Sequence, residues 1–386
     1  MSTPVDKLGK EDILLRTRKF RIYPNFEQKK IYKEWMNTSR YVYNRALDSV
    51  KKSEDKINFY NLRNKYVTSL NNDLVKDWEI KTPKDVRAGS LRDLTKAYKT
   101  SFSNLKNGNI SNFNINFRSK RNGYQSIEIP KTAISIKDNK LRIYSRYNKD
   151  VIKMSKEMKT KKNRNKNLEI KYDCRLKVNQ YNEWYLCIPE ERLKKKSNTT
   201  SKCALDPGVR KFQTLYSETE VKKLETNYEL IKKLRKKIAN YQILRSDKII
   251  KKSQMSKKIR NLWKRFINLV DDMHFKLSNY LTKNYKEIFL PSFESQEMVK
   301  NINSTTRFNI LNLQHYKFQT RLLDKCEETN NLLNICTEEY TSKTCTRCGT
   351  LNNVGSSEIY KCNNCKLIID RDINGSRNIY LKCLVH

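Results

Sequence analysis

Two groups of residues able to do chemistry lie side by side near the C-terminal end of this sequence. Cys345-x-x-Cys348 and Cys362-x-x-Cys365 are two CxxC knuckles with 13 residues between them. At that spacing two tight turns present four thiolates to one tetrahedral Zn²⁺. Four thiolates leave no open position for water, so the expected zinc is structural. Disulfides are the rival use, but a heavily charged chain with no leader pattern reads as intracellular, where thiols stay reduced. Five residues past the last cysteine comes Asp370-Arg371-Asp372-Ile373-Asn374-Gly375-Ser376. An aspartate ahead of Asn-Gly often serves only as a turn or helix cap. Here the acids follow the apolar run Leu367-Ile368-Ile369 and precede Ile373, Ile379 and Leu381, which places them where a strand hands over to a helix. A metal-binding carboxylate suits that position, provided that it has partners elsewhere.

Such partners stand at other strand ends. Lys202 to Tyr216 reads as a hairpin, with Asp206 at the end of its first strand ahead of Pro207-Gly208. Glu287 to Glu294 and Leu332 to Tyr340 read as strands closing on Glu294 and on Glu338-Glu339. Each glutamate taken alone is a solvated strand-end charge on base rates, so Glu294, Glu338 and Glu339 all stay open as the third acid. Spread carboxylates are what a two-metal phosphodiesterase needs: two Mg²⁺ about 3.5–4 Å apart activate water and stabilise the leaving oxygen. The ribonuclease-H-like fold delivers acids in this manner.

The composition names the other partner. Among 386 residues, 81 Lys+Arg against 41 Asp+Glu leave a net charge of +40. The bases are spread along the chain, which implies a channel for a polyanion, and nucleic acid is the expected one. Interleaved with them are 22 Tyr and 13 Phe, which could stack on bases, although most such rings serve the core. No run of 18 apolar residues exists, so no membrane span is expected. The six other cysteines (Cys174, Cys187, Cys203, Cys326, Cys336, Cys383) show no pairing pattern and are expected as buried free thiols.

The elements that must position these groups follow from periodicity. Arg16 to Tyr23 alternates as a strand, and Pro24 ends it. Asn25 and Gln28 form a capping pair before a helix through Ile31, Trp35, Val42 and Ala46. Further helices are predicted from Phe59 to Leu70 and along the stripe Val86, Leu91, Leu94, Tyr98, Phe102, Leu105, which leaves Arg87, Arg92, Lys96 and Lys99 on polar faces. From Asn107 to Glu191 the period turns to two. Strands are predicted at 126–129, 133–136, 140–144, 168–172, 175–178 and 183–188, enough for a small barrel. If Arg18 to Tyr23 joins that barrel, the helices are an insertion in it. The basic run Lys153 to Lys166 is read as a loop, and 194–200 as a linker. After the Asp206 hairpin, Leu224 to Tyr241 and Ile259 to Met273 read as an antiparallel helical pair.

In these stretches the chain resembles a known family: the TnpB nucleases of bacterial insertion sequences and their eukaryotic and viral relatives, the Fanzor proteins. FRIYPNFEQKKIYKEWMNTSRYVYNRAL resembles its N-terminal segment; LRDLTKAYKTSF and FRSKR, its recognition helix and basic patch; ALDPGVRKF, its first RuvC motif; HFKLSNYLTKNY, the approach to the second; YTSKTCTRCG with DRDINGSRNI, its zinc finger and third motif. The resemblance implies an α+β multidomain chain. Residues 1–24 supply the first strand of a wedge β-barrel, 25–106 an inserted helical recognition domain and 107–196 the rest of the barrel. A ribonuclease-H-like RuvC domain covers 197–340, with a four-cysteine zinc finger at 341–366 and the RuvC C-terminal part at 367–386.

The implied activity is RNA-guided cleavage of double-stranded DNA. A guide RNA from the transposon end pairs with the target, the protein reads a short flanking motif, and one Mg²⁺-dependent RuvC site cuts. Asp206 matches the first-motif acid and Asp372 that of the D-x-N-small-small pattern, with Asp370 behind it. The middle motif departs: bacterial members end the strand on a glutamate where this chain has Pro291. Fanzor-like members resemble this version and carry a glutamate before TSKTC, which Glu338 matches, with Glu339 and then Glu294 as fallbacks. The nucleic-acid contacts expected are Arg18, Arg21, Tyr23, Arg40, Arg87, Arg92, Lys96, Arg118, Lys120 and Arg121. A Fanzor-like chain would act as a monomer in the nucleus of a eukaryotic or giant-virus-infected host, and otherwise in the cytoplasm or nucleoid. The alternatives are a nuclease-silent guided DNA binder and a transposase. No catalytic tyrosine or His-hydrophobic-His signature supports the last; the histidines are His274, His315 and His386.

Overall fold

The computed structural model describes residues 13–68, 73–121, 123–137, 140–156, 158, 170–195, 197–208, 211–225, 228–246, 252–292, 304–337, 339–353, 355 and 357–385. The chain divides into two compact units, residues 15–192 and residues 193–386 with the first fourteen.

The first unit is built around strand β1 (Ile13–Tyr23), whose alternation buries Phe20 and Ile22. Helix α1 (Phe26–Lys51) starts on the Asn25–Gln28 capping box: the Gln28 N–H donates to Asn25 Oδ1 at 2.8 Å and the Asn25 N–H to Gln28 Oε1 at 2.9 Å. Helices α2 (Phe59–Tyr66), α3 (Asp77–Ile80) and α4 (Lys84–Lys106) follow. Helix α2 stops at Tyr66, short of the expected Leu70, and Val67 leaves helical geometry to be fully buried between helices. The sheet then resumes with β2 (Gln125–Ile129), β3 (Ile134–Lys137), β4 (Lys140–Ile143), β5 (Lys153–Met154), β6 (Cys174–Val178) and β7 (Trp184–Leu193). Five of these strands form one sheet in the order β2-β6-β7-β1-β5, so the helices are inserted between strands of a single sheet. Strands β3 and β4 form a separate hairpin, joined toward β5 by one bridge between Leu141 and Ile152. Of the expected strand 168–172, Ile170 to Tyr172 is irregular and the rest lies outside the described residues, as does most of the Lys153–Lys166 run. Trp35, Tyr32, Phe20, Leu176 and Trp184 share the core between sheet and α1.

The second unit holds a mixed sheet of β8 (Lys202–Pro207), β9 (Lys211–Tyr216), β10 (Val221–Glu225), β11 (Glu287–Pro291) and β12 (Leu332–Cys336), ordered β10-β9-β8-β11-β12. Strand β9 is antiparallel to both β8 and β10, whereas β11 runs parallel to both β8 and β12. Leu224, expected in a helix, belongs instead to β10. A Ser217–Glu220 turn folds Val221–Glu225 back onto β9, and this pairing overrides the local helical pattern. Helices α5 (Tyr228–Ser246) and α6 (Lys252–Asn284) form the expected pair, packed through Ile238 and Ile259. They are followed by α7 (Ser304–Leu313) and α8 (His315–Thr329), neither of which was among the expected helices. A two-stranded β13 (Ile359–Lys361) and β14 (Ile368–Asp370) leads into α9 (Arg371–Val385).

Alternation along β8 sorts the two faces of this sheet. Cys203 and Leu205 pack with Phe266, Leu281, Phe318 and Leu322 of α6 and α8, while Ala204 packs with Ile379 and Tyr380 of α9. Residues two apart on a strand share a face, so Asp206 belongs to the α9 side with Ala204. On β11, Phe289 lies on that side and Pro291 shares it.

Candidate metal centres

The four knuckle cysteines converge. Their Sγ atoms all lie within 4.8 Å of one another, with Cys345–Cys365 and Cys348–Cys362 each at 3.6 Å. Four sulfurs about 2.3 Å from a tetrahedral zinc stand about 3.8 Å apart, so the cluster fits that ion and is too wide for disulfides. Polar groups surround the sulfurs. The Asn352 amide nitrogen lies 3.6 Å from Cys362 Sγ and also donates to the Tyr360 hydroxyl at 2.8 Å, and Asn364 Nδ2 lies 3.8 Å from Cys348 Sγ. The Thr350 side chain, 3.4 Å from Cys348 Sγ, and the Thr350 N–H pull the Cys348 thiol down to about 5, whereas at Cys365 the Leu367 backbone bond is outweighed by burial and the crowded sulfurs, which push the thiol up to about 12. Of the other cysteines, Cys174, Cys187, Cys203 and Cys326 are buried free thiols, while Cys336 and Cys383 are half-buried.

The acidic centre forms where α9 begins. Asp370 is pinned as a cap: its Oδ1 accepts from the N–H groups of Asp372 at 3.0 Å and Ile373 at 3.2 Å, and its Oδ2 from Lys223 Nζ at 2.5 Å. Burial alone would raise the Asp370 carboxyl, but Lys223, the Ile373 N–H and Lys211 outweigh it and hold the group below its ordinary range. Lys211 Nζ stands 3.8 Å from a carboxylate oxygen of both Asp370 and Asp372. The neighbouring Lys223 ammonium and partial burial depress Lys211, while the Asp370 bond raises Lys223. Asp372 itself is half exposed.

Asp206 meets the same helix. A Cβ placed on Gly375 would stand 2.5 Å from Asp206 Oδ2, so the carboxylate lies against bare helix backbone that only glycine provides. Gly375 is three residues on from Asp372, the spacing of neighbours on one helix face. Asp206 and Asp372 are thus gathered at the first turns of α9. Glu339 is described and exposed, whereas Glu338 and Glu294 lie outside the described residues.

The expected nucleic-acid contacts divide by exposure. Tyr23, Lys96, Lys120 and Arg121 are exposed. Arg18 is half-buried with its guanidinium 5.2 Å from the Phe20 ring centre, Arg21 pairs with Glu183, and Arg40 bonds Asn37. Arg92 pairs with Glu128, and Arg118 lies 3.9 Å over the Tyr43 ring while bonding Asp93. Arg87 is a correction. Expected on a polar face, it is 3% exposed and donates to the Thr82 and Val67 carbonyls at 3.2 and 3.1 Å, because it closes orphaned carbonyls between helices. Sequence reasoning misses Lys211, Lys223, Asn374 and Asn378. For the asparagines, the N-x-x-x-N spacing on a helix is the available signal.

Comparison with known proteins covers nearly the whole length. Family models described as a helix-turn-helix domain, a probable transposase of the OrfB/IS605 kind, and the Cas12f1-like TNB domain match residues 14–53, 185–301 and 315–379 in turn. A putative transposase A625R of Paramecium bursaria Chlorella virus 1 is 29% identical over 96% of this chain and 87% of its own length. The TnpB-like protein L770 of Acanthamoeba polyphaga mimivirus is 24% identical over 97% of this chain and 74% of its own. At 24% identity, the putative RNA-guided DNA endonuclease InsQ of Escherichia coli (strain K12) covers 95% of this chain and 91% of its own. In fold the chain is similar to Cas12f1 as solved in its complex with guide RNA and target DNA, with a TM-score of 0.55 at 15% identity over 92% of this chain and 83% of that one. With three family segments in the order that the sequence motifs imply, and relatives in viruses and bacteria matched over nearly all of this chain, the chain is similar to the TnpB/IS605 family along its length.

Proposed function

We propose that this chain is an RNA-guided DNA endonuclease of a transposable element, cutting at an acidic site formed by Asp206, Asp372 and Glu338, with Glu339 and then Glu294 as substitutes for the last. The observation that carries the reading is the seating of Asp206 against Gly375, which brings the acid of β8 to the helix that begins with Asp372. The β10-β9-β8-β11-β12 order, with β11 parallel to both β8 and β12, supports a ribonuclease-H-like RuvC domain. The donors are carboxylate oxygens, which suit Mg²⁺. When bound, such ions activate water and stabilise the leaving oxygen. The chain's own contribution is to hold the acids: Asp370 fixes the start of α9, and Lys223 and Lys211 balance charge beside it. By the example of InsQ, named as a putative RNA-guided DNA endonuclease, the partners are a guide RNA and a matching DNA duplex; the flanking motif and the monomeric state come from the family resemblance alone. Fanzor-like action in a nucleus rests on the TSKTC-proximal glutamate and belongs to this proposal.

A guided binder that does not cut is the second reading, favoured by Pro291 on the α9-facing side of β11, where bacterial members place a glutamate. One experiment separates the two. The chain, coexpressed with the DNA flanking its gene, is purified with its RNA and given Mg²⁺ and a matching duplex. Cutting by the unsubstituted chain and its loss in Asp206→Ala, with DNA binding kept, supports the nuclease. Cutting unchanged in Asp206→Ala overturns the assigned site, and binding without cutting by either chain establishes the silent binder.

A further inference from the structure

We propose that Asn374 and Asn378 are positioning residues, through which the fold around the zinc cluster sets the placement of Asp372 and Asp206. The inference rests on the reading of those aspartates as the cutting site. The two asparagines are four residues apart on one face of α9, and both are buried, at 0% and 8% exposure. Asn374 Oδ1 accepts from the N–H of Thr346, inside the first CxxC knuckle, at 3.1 Å, and its Nδ2 donates to the Thr344 carbonyl at 2.8 Å. Asn378 Nδ2 donates to the carbonyls of Thr341 at 2.8 Å and Thr344 at 2.7 Å. An amide suits this work because it donates and accepts at once, toward two backbone carbonyls and a backbone N–H.

The other side of α9 faces the sheet. Ile379 and Tyr380 pack on Ala204 and Phe289, and Gly375 abuts Asp206. The helix is therefore held between two bodies: the sheet, through apolar contact, the Lys211 and Lys223 ion pairs at its first turn and a Tyr380 hydroxyl donating to Glu218 at 2.9 Å, and the knuckle, through four hydrogen bonds between buried amides and its backbone. Apolar contact resists separation but tolerates sliding, whereas hydrogen bonds fix position along and around the axis. Asp372 stands two residues before Asn374, and Gly375 directly after it. A slip of the helix moves Asp372 and alters the seat of Asp206 together, and displacement of about 1 Å at a reacting centre can cost on the order of a hundredfold in rate. The small-residue motif D-I-N-G-S thus reads as acid, clamp and clearance in succession.

The test uses the full chain with its copurified RNA and three variants, Asn374→Ala, Asn378→Ala and Asp372→Asn. Bound zinc, DNA affinity, amide hydrogen exchange across 371–376 and the Mn²⁺ concentration for half-maximal cutting are measured. In both asparagine variants we expect zinc and DNA affinity as in the unsubstituted chain, faster exchange in the first turns of α9, and a half-maximal Mn²⁺ concentration raised about tenfold, the usual effect of removing a group that orients a ligand. Excess Mn²⁺ should restore much of the rate, which it would not do for a chain that had merely unfolded. Unchanged exchange and Mn²⁺ dependence would overturn the proposal. So would loss of zinc in both variants, which would make the asparagines part of the finger's own fold. If Asp372→Asn cuts normally, the reading of the site fails, while hydrogen exchange in the asparagine variants still decides whether the clamp holds α9.

Discussion

At the scale of single residues, the proposed site depends on one missing side chain. Alanine is the better helix former at position 375 by about 1 kcal/mol, so Gly375→Ala would stabilise an unobstructed helix. Here its Cβ would sit 2.5 Å from Asp206 Oδ2, and the resulting displacement is expected to cost about 1–3 kcal/mol and to lower cutting at least tenfold with zinc retained. Chemical denaturation and single-turnover cleavage check this together. A variant that is both more stable and fully active would mean that Asp206 is not seated there. Arg87 teaches the complementary point. Its charge looks available from its place on a helix stripe, yet its guanidinium is used up on two backbone carbonyls.

At the scale of elements, helix α6 carries a buried imidazole into the core behind the Asp206 hairpin. His274 stacks on Phe212 of β9 with ring centres 5.2 Å apart, its Nε2 lies 3.0 Å from the Leu313 carbonyl, and His315 also stacks on Phe212, at 4.8 Å. Burial pushes His274 down to about 4, against a small opposing contribution from the Leu313 bond, and pushes His315 to about 3 with His274 adding to it. The folded values lie below the unfolded ones, so each group's stabilising effect is complete above pH 6.5 and is lost as pH falls from there toward the folded value. Between pH 7 and pH 5 the loss from His274 is about 2 kcal/mol. Urea denaturation at the two pH values should show it, and His274→Gln, which keeps a donor for Leu313, should remove about that share. Equal pH dependence in the variant would show that His274 does not titrate between the two states. Elements also explain what periodicity could not supply. Leu224 suits a helix or a strand, and the Ser217–Glu220 turn decides the matter by offering β9 as a partner. Helix α8 is different, because its buried His315, Phe318, Leu322 and Cys326 recur at helical spacing and the signal for it lay in the sequence.

At the scale of the whole molecule, the +40 charge sets how the chain meets nucleic acid, yet only part of it is free to act. Several bases of the first unit are committed to acids, Arg92 to Glu128, and Arg118 and Arg175 to Asp93, while Lys96, Lys120 and Arg121 are exposed. Replacing those three with alanine should lower the slope of log affinity against log salt by about three, without base preference, because each phosphate contact releases about one counterion. A slope equal to that of the unsubstituted chain would remove them from the interface. The convergence of the four knuckle cysteines, the helix cap at Asn25 and the strand-to-helix passage at Asp372 were legible in the sequence, because each is determined by motifs of residues a few positions apart. Period and spacing likewise marked β1 and three of the four described helices inserted before β2, leaving out the four-residue α3. The seat of Asp206 on Gly375, the commitment of Arg87 and the hold of Asn374 and Asn378 on the knuckle were decided only by tertiary structure. In those cases the partners are brought together by sheet order and helix packing, and a residue's own type and spacing do not say which distant backbone it will meet.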